Sequence, residues 1–308
     1  MKALALSSFD DKPSVMDVDD PVPGQGEVLV RVVAASINAF DVRVAAGGVR
    51  GFMTYTFPAV VGGDLAGTVE ALGDGVDAFA VGDRVFGMMG MKGGVHDGSF
   101  GELATPTAAS IAKAPDALRD VDAGSLAVAG TTAMSAVDEV APTDGMRVLV
   151  VGATGGVGSF ALGLARSRGA HVIASIRPGD EAFVKDVGAA ETVDYTGDIA
   201  AQIGERYPDG VDAAIDAVSA DLAVVAGLVR SGGVVVSTRG AAGKATDIEG
   251  VRVTDANANT AHLAPLADMV VAGELKVAIR KTYPLADAAR AMADFEQQHT
   301  VGKLVITM

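Results

Sequence analysis

The sequence predicts an α/β protein with two domains, one built on a doubly wound parallel sheet and the other mostly β. Three observations support this prediction. The chain has 308 residues, of which 49% are hydrophobic, and this suits two domains with full cores. Its middle alternates apolar strands with helix-length segments, and a glycine-rich turn opens that alternation.

The glycine-rich turn is the most informative feature of the chain. Residues 147–151, RVLVV, are apolar and rich in β-branched side chains, which is typical of a buried strand. Glycines follow, and a helical pattern then runs from Ser159 to Arg168. Because glycine lets the backbone approach phosphates and a helix N-terminus presents free N–H groups, this order predicts a dinucleotide pyrophosphate site. The residues predicted to contact the cofactor here are Gly152, Thr154, Gly155, Gly156, Val157 and Gly158.

Further strands follow this turn at a regular spacing. We predict them at residues 171–175, 191–195, 211–218, 233–238 and 251–254. The helices between them are expected to end at Gly169, Gly188 and Gly232, where a residue with positive φ is needed. Repeated β–α units with nearly continuous apolar strands indicate a parallel sheet covered on both faces, which is a Rossmann domain.

The two ends of the chain have a different pattern. Residues 27–37 alternate apolar and polar side chains, and Gly–Asp turns with short strands follow, which predicts a mostly β domain. The last segment predicts a strand at 276–279, a helix at 285–298 and a strand at 302–307. We expect it to return to the first domain, so that a substrate cleft lies between the two domains. The predicted domains are 1–121, completed by 272–308, and 122–271.

Composition excludes several classes of partner. The chain carries 39 acidic and 24 basic residues, a net charge of −15, which disfavours nucleic acids and anionic membranes. No window has 18 uninterrupted apolar residues, and the first 11 residues are too short and too acidic for a signal peptide, so we expect a cytoplasmic protein. Without cysteine, neither disulfides nor thiolate metal sites can form.

Several segments together carry a resemblance to a known family. They lie at residues 34–47, 57–76, 81–87, 130–137, 152–158 and 301–306. With these segments the chain resembles the medium-chain dehydrogenase/reductase superfamily and, within it, the zinc-independent quinone oxidoreductases. The resemblance implies a GroES-like β fold for the N-terminal domain and NADP(H) binding by the central one. It also implies hydride transfer from NADPH to a quinone, enone or similar electron-poor acceptor.

The positions that bind zinc in other members of that superfamily are altered in this chain. Zinc-dependent relatives hold the metal with two cysteines and one histidine, and the matching positions here are Asn38, Gly63 and a small residue near Ala127. Zinc needs three protein ligands with nitrogen, sulfur or oxygen atoms, which glycine and alanine side chains lack. The sequence therefore predicts that the protein has no metal site.

The residues after the second Rossmann strand favour NADPH over NADH. An NAD site usually has a carboxylate there to bond the ribose 2′-hydroxyl, whereas this chain has Ser175 and Arg177. A hydroxyl and a guanidinium would instead hold a 2′-phosphate by charge-assisted bonds. The alternative is that Arg177 is an ordinary surface charge. The resemblance implies further cofactor contacts at Tyr195, Thr131, Ser237, Thr238, Arg239 and Gly240.

Candidates for contact with the acceptor are few. Asn38 is predicted either to donate a hydrogen bond to the acceptor carbonyl or to stabilise a turn. Tyr55 lies in a loop, residues 49–57, that either lines the cleft or packs against its neighbours. Asp41 is expected to order the local backbone rather than to transfer protons.

We therefore predict an NADPH-dependent quinone oxidoreductase whose partner is a small-molecule acceptor. One alternative is an enoyl or alkenal reductase of a biosynthetic pathway, and another is a non-catalytic NADPH-binding sensor or structural protein. The resemblance also implies a homodimer that pairs two Rossmann sheets through the open edge of residues 251–254.

Overall fold

The computed structural model describes residues 1–90, 94–218, 221–240, 246–297, 299 and 301–308. The described chain forms two compact units. Unit 1 comprises Met1–Val128, Leu263–Val271 and Ile279–Met308, and unit 2 comprises Ala129–His262 and Ala272–Ala278.

The N-terminal part of the chain is mostly β. Its strands are β1 (Lys2–Leu6), β2 (Ser14–Asp17), β3 (Val28–Ser36), β4 (Tyr55–Val60), β5 (Asp64–Leu72), β6 (Arg84–Met88), β7 (Val95–Asp97), β8 (Leu103–Ala104) and β9 (Ile111–Lys113). Its helices are α1 (Ala39–Ala45) and α2 (Asp120–Val140). The boundary between the units falls inside α2, because this helix continues from unit 1 into unit 2.

The central part alternates strands and helices. Its strands are β10 (Arg147–Val151), β11 (His171–Ile176), β12 (Glu191–Asp194), β13 (Val211–Asp216), β14 (Val229–Ser237), β15 (Thr246–Ile248) and β16 (Val251–Asp255). Its helices are α3 (Gly156–Ser167), α4 (Glu181–Val187), α5 (Ile199–Arg206) and α6 (Leu222–Ala226). The C-terminal part adds α7 (Leu263–Val271), β17 (Ile279–Pro284), α8 (Ala288–Gln297) and β18 (Lys303–Thr307).

Unit 1 contains two sheets. The smaller has the strand order β2-β1-β4-β7, and the larger has the order β17-β18-β3-β5-β6-β9 with β8 also paired to β3. The C-terminal strand β18 runs antiparallel to β3, with Ile306 opposite Ala35. Leu4, Leu65 and Phe100 are fully buried in the core of this unit. The last strand of the chain thus completes a sheet that begins near its N-terminus.

Unit 2 contains the predicted Rossmann sheet. Its strand order is β12-β11-β10-β13-β14-β16-β15, and all pairs except β15 with β16 are parallel. Leu149, Ile173 and Val235 are fully buried, as expected for strands covered on both faces. The predicted combination of a doubly wound parallel sheet with a mostly β domain is therefore confirmed. Because the strands are parallel, β10 to β14 and β16 all end at the same edge of the sheet.

Several predicted boundaries differ from the structure. The strand expected at 276–279 begins only at Ile279 and continues to Pro284, and the helix expected from residue 285 begins with a 3-10 turn before Ala288. Gly232 does not end a helix, since α6 ends at Ala226 and Gly232 lies inside β14 with a φ of 77°. Its conformation accompanies a break in the β13–β14 register, where glycine tolerates the irregular backbone.

The unit boundaries also differ from the predicted domains. The change expected at residue 121 falls within α2, because a continuous helix shows no break in sequence pattern at the point where it leaves one unit. The segment Leu263–Val271 belongs to unit 1, where α7 contacts β9, while Ala272–Ala278 belongs to unit 2.

The edge of the Rossmann sheet is not where the sequence placed it. Strand β15 pairs antiparallel with β16, with Asp247 opposite Arg252. The predicted pairing of two subunits through residues 251–254 is therefore wrong, because the same chain already occupies the hydrogen-bonding groups of that edge. Among the described residues, no helix is long and apolar enough to cross a membrane.

Candidate functional site

The glycine-rich turn joins β10 to α3 in unit 2. Gly152 directly follows β10 and has a φ of 77°, a conformation that favours glycine. A Cβ on Gly158 would lie 2.1 Å from the carbonyl oxygen of Gly152, so the first turn of α3 packs directly on the end of the strand. The N-cap residue Gly155 has no side chain to accept the first N–H groups of this helix. The helix therefore presents unfilled donors and a partial positive charge at this point, as an anion-binding site requires.

Three of the predicted cofactor residues lie near the ends of β11 and β12, and two of them, Arg177 and Tyr195, are in contact. Arg177 and Tyr195 are neighbours because Ile176 pairs with Asp194 in the parallel register. Nε of Arg177 donates to the Tyr195 hydroxyl at 2.5 Å, and the guanidinium carbon lies 5.7 Å from the ring centroid. Ser175 is buried, and its Oγ has no hydrogen-bond partner among the described residues. A buried hydroxyl without a partner is costly, so this atom fits a site that a polar ligand completes.

The residues after β14 form the next part of the same edge. The backbone N–H of Thr238 donates to the Asp216 carbonyl at 2.9 Å, and its Oγ1 donates to the same oxygen at 3.3 Å. The Arg239 N–H donates to Ser237 Oγ at 3.3 Å, while the Arg239 side chain is exposed. Gly240 follows with a φ of 68°. This turn therefore lies at the same edge of the sheet as the glycine-rich turn, with β13 between β14 and β10.

The structure thus collects nearly all predicted cofactor residues at one edge of the Rossmann sheet. Unfilled helix N–H groups, an unpartnered hydroxyl and an arginine are the groups that a dinucleotide with a 2′-phosphate would use. Thr131 differs from the others because it lies buried within α2 and not at a strand end.

Unit 1 contains a buried polar cluster that consists of Ser36, Asn38, Asp41, Asp64 and Lys303. Lys303 is only 2% exposed and Asp64 is fully buried. Nζ of Lys303 donates to Asn38 Oδ1 at 2.6 Å and lies 3.6 Å from Asp64 Oδ2. Strands β3, β5 and β18 bring these residues together through their pairing.

The side chain of Asn38 is fully engaged within this cluster. Its Nδ2 donates to Asp64 Oδ2 at 2.8 Å and to the Ser36 carbonyl at 3.3 Å, and its Oδ1 accepts from Lys303. Asn38 is also the N-cap residue of α1. Of the two roles considered for Asn38, this geometry matches the structural one, because neither amide N–H is left for an acceptor carbonyl.

The two carboxyl groups of the cluster have different surroundings. Asp64 accepts from Ser36 Oγ, from Asn38 Nδ2 and from the Val128 backbone N–H at 2.7 Å. Asp41 accepts the Asn38 backbone N–H, at 2.7 Å. Burial raises the pKa of Asp41 to about 7, and this hydrogen bond only partly opposes the rise. Burial also lowers the pKa of Lys303, against the attraction of Asp64 and Asp41.

Tyr55 lies at the opposite end of α1 from Asn38. Its hydroxyl donates to the Val44 carbonyl at 2.6 Å, and its ring packs against Phe9 with centroids 4.8 Å apart. Seven helical residues span about 10 Å, so the structure separates the two predicted catalytic residues. The hydroxyl of Tyr55 closes the last turn of the helix, which matches the packing alternative.

Three members of this cluster, Ser36, Asp64 and Lys303, were not predicted from the sequence as site residues. One signal was available: Lys303 is a single charge inside the apolar run 302–306, and a lysine in such a strand needs a buried partner. At two of the positions that match zinc ligands in relatives, the Asn38 side chain forms hydrogen bonds within the cluster and Ala127 is fully buried. Within the described residues, no three His, Asp or Glu side chains are grouped so that they could hold a metal ion.

Comparisons with known proteins give matches to dehydrogenases and quinone oxidoreductases. The family model "Alcohol dehydrogenase GroES-like domain" matches residues 24–116, and "Zinc-binding dehydrogenase" matches residues 187–306. The chloroplast envelope quinone oxidoreductase homolog of Arabidopsis thaliana is 29% identical over 325 residues, which cover 99% of this chain and 98% of the relative.

Two further similarities are informative. Erythronolide synthase EryA2 of Saccharopolyspora erythraea is 36% identical over 187 residues, which cover 60% of this chain and 5% of that protein. The structure of the quinone oxidoreductase from Coxiella burnetii matches with a TM-score of 0.88 and 26% identity, over 100% of this chain and 99% of that one.

Proposed function

This chain belongs to the medium-chain dehydrogenase/reductase superfamily of NAD(P)-dependent oxidoreductases, and we propose that it transfers hydride from NADPH to a quinone or another electron-poor enone. The observation that carries the choice of NADPH is the pairing of Arg177 with Tyr195 beside the unpartnered hydroxyl of Ser175. The similarity to quinone oxidoreductases supports the choice of acceptor.

The residues of unit 2 bind and orient the cofactor, which supplies the hydride when it is bound. The first N–H groups of α3 would donate to the pyrophosphate, and the absence of a Cβ on Gly155 would leave room for it. Arg177 and Ser175 would hold the 2′-phosphate by charge-assisted hydrogen bonds. The turn that follows β14, residues 238–240, would bound the dinucleotide at the same edge of the sheet.

No side chain of unit 1 needs to act as an acid in this reaction. A reduced quinone oxygen takes its proton from water, whereas an enone benefits from a proton donor in the protein. Both N–H groups of the Asn38 side chain and the hydroxyl of Tyr55 already donate within the unit. We therefore assign these side chains a structural role around α1. Because neither then serves as a proton donor, a quinone suits the protein better than an enone.

Turnover with a simple quinone tests this proposal directly. We expect the purified protein to oxidise NADPH in the presence of 1,4-naphthoquinone, followed by absorbance at 340 nm. Activity should persist after dialysis against EDTA, because Gly63 and Ala127 offer no metal ligand. Stoichiometric zinc in elemental analysis together with loss of turnover in EDTA would show that metal independence is wrong.

One rival function is favoured by a specific observation. The local identity to erythronolide synthase, a biosynthetic protein by its name, supports an enoyl or alkenal reductase. Turnover with a 2-enoyl thioester or an alkenal but with no quinone would favour this rival. Tight NADPH binding without turnover of either class would favour a non-catalytic protein instead.

Preference for NADPH is expected to depend on Arg177. Losing one charged hydrogen bond costs roughly 1.5–3 kcal/mol, so Arg177→Ala should weaken NADPH binding by about tenfold or more and leave NADH nearly unchanged. Titration calorimetry measures both affinities. Arg166→Ala is a matched control, because Arg166 is an exposed arginine at the far end of α3. An equal loss for NADPH and NADH would contradict a 2′-phosphate contact.

A further inference from the structure

The side-chain amide of Gln202 forms hydrogen bonds with both backbone groups of Asp194. Its Oε1 accepts from the Asp194 N–H at 2.9 Å, and its Nε2 donates to the Asp194 carbonyl at 2.8 Å. Nε2 also donates to the Asp198 carbonyl at 3.2 Å. These partners fix the orientation of the amide, because a reversed amide would turn its N–H groups toward an N–H and its oxygen toward a carbonyl.

These bonds fall at one edge of the Rossmann sheet. Among the described strands, β12 pairs with β11 alone, so its other side has no neighbouring strand. The Tyr195 N–H points toward β11 and donates to the Ile176 carbonyl at 3.1 Å, and the backbone groups of Asp194 point away because successive residues alternate. Gln202, on α5, therefore takes the place of a further strand at the last residue of β12.

The residue held in this way precedes Tyr195, which the proposed function uses together with Arg177. The Tyr195 side chain is 38% exposed, and its hydroxyl has no hydrogen-bond partner other than Arg177 among the described residues. The Asp194 carboxylate accepts from the N–H and the hydroxyl of Thr196, at 2.8 and 2.7 Å. The backbone is thus held on both sides of Tyr195, although the ring itself is exposed.

A fixed Tyr195 determines where the guanidinium of Arg177 lies. Nε of Arg177 donates to the tyrosine hydroxyl, and the guanidinium carbon lies 5.7 Å from the centre of the ring, so both contacts depend on the position of the tyrosine. The two terminal nitrogens of Arg177 have no partner among the described residues. A guanidinium that is already held in place loses less side-chain entropy when it binds an anion, and the anion is bound more tightly.

We propose that Gln202 is a positioning residue for the 2′-phosphate of NADPH: it holds Asp194, which fixes Tyr195, and Tyr195 orients Arg177. This inference rests on the proposed NADPH site in unit 2. A carboxamide suits this role because it offers one donor and one acceptor together, as a neighbouring strand would. The preference for NADPH then depends on a residue that forms no hydrogen bond with Arg177 or Tyr195.

Titration calorimetry with NADPH and NADH, without an acceptor, tests this inference. The variant is Gln202→Met, which keeps the length of the side chain and removes both hydrogen bonds with Asp194. We expect its dissociation constant to rise about fivefold for NADPH and to change less than about twofold for NADH, since the lost bonds act only through the 2′-phosphate contact. Gln25→Met makes the same chemical change at an exposed position of unit 1 and should leave both affinities unchanged.

A double-variant comparison shows whether Gln202 acts through Tyr195. In a Tyr195→Ala protein, Gln202→Met should have no further effect on NADPH binding, because the side chain that it positions is gone. A further loss of similar size in that background would overturn the inference. Equal losses of NADPH and NADH in the single variant would also overturn it, because a residue that merely stabilises the edge of the sheet supports both cofactors alike.

Hydrogen exchange in the protein without cofactor gives an independent measurement. The Asp194 amide should exchange severalfold faster in Gln202→Met than in the wild type, while the amide of Ile173, in the buried part of β11, should be unaffected. Unchanged exchange at Asp194 would show that Gln202 does not hold this residue, and the inference would be wrong.

The cofactor titrations also separate this inference from the proposed function. If Arg177→Ala weakens NADPH binding selectively and Gln202→Met does not, the assignment of Gln202 fails alone. If neither variant affects NADPH binding, the proposed 2′-phosphate site fails and this inference fails with it. Absence of quinone turnover, with the expected differences in binding intact, would refute the choice of acceptor and support the role of Gln202.

Discussion

Replacing Lys303 by methionine is expected to destabilise unit 1 by about 3–5 kcal/mol, because it leaves a buried carboxylate without its cation. Lys303 donates to Asn38 at 2.6 Å and lies 3.6 Å from Asp64, and both charged side chains are almost completely inaccessible. Methionine matches the lysine stem in length, so the main loss is electrostatic rather than a cavity. Hydrogen exchange of the amides in β3 and β18 measures the loss within unit 1 itself.

The double variant Lys303→Met/Asp64→Asn isolates the ionic contribution. Removing both charges leaves Asn38 and Ser36 with a neutral partner, and we expect it to recover most of the stability lost in the single variant. Lys12→Met, which removes an exposed lysine of the same unit, should change stability little. A Lys303→Met protein as stable as the wild type would show that Lys303 is not the cation that compensates Asp64.

The second large effect concerns Asp41 and depends on pH. The pKa of this carboxyl is 3.8 in its ordinary state and is raised by burial to about 7 in the folded protein. At Asp41 the folded chain therefore binds more protons than the unfolded chain between these values, so the contribution of this carboxyl to stability falls as pH rises from about 4 to about 7. Over roughly three pH units this amounts to about 4 kcal/mol. The charged groups that face Asp41 are Asp64 on β5 and Lys303 on β18.

Asp41→Asn is accordingly expected to stabilise the protein at pH 8 by up to about 4 kcal/mol and to change it little at pH 4. Asparagine keeps an oxygen that accepts the Asn38 backbone N–H but cannot ionise. Denaturation with guanidinium at several pH values measures the effect. Asp268→Asn, on the exposed side of α7 in the same unit, removes the same charge and is the control. A variant with the same pH dependence as the wild type would mean that folding does not raise the pKa of Asp41.

The cofactor side of the protein was largely predictable from local patterns. The strand, turn and first helical residues of the glycine-rich turn are contiguous in residues 147–158, so a short window contains the whole signal. The pairing of Arg177 with Tyr195 could be anticipated as well, because parallel strands place their carboxyl ends side by side. Thr131 was the exception: the resemblance implied its contact, and the structure places it within a buried helix.

The role of Asn38 in unit 1 could not be predicted from the sequence. The pattern around Asn38 allowed a hydrogen-bond donor to the acceptor or a turn residue, and local sequence could not separate these roles. The residue that decides between them is Lys303, which is 265 positions away along the chain. Similarly, the pattern of β16 did not reveal that β15 pairs with it, because three residues with little periodicity carry almost no strand signal.

The sequence by itself determined the two-part architecture, the Rossmann sheet and the glycine-rich turn after its first strand, since hydrophobic periodicity and glycine spacing are read within one or two elements. Only the tertiary structure decided which hydrogen-bond donors of Asn38 are already engaged, which strand forms the edge of the Rossmann sheet and where Lys303 meets its buried carboxylate. These properties depend on side chains that meet through strand pairing over long separations, and burial then sets both their charge and the energy of each contact.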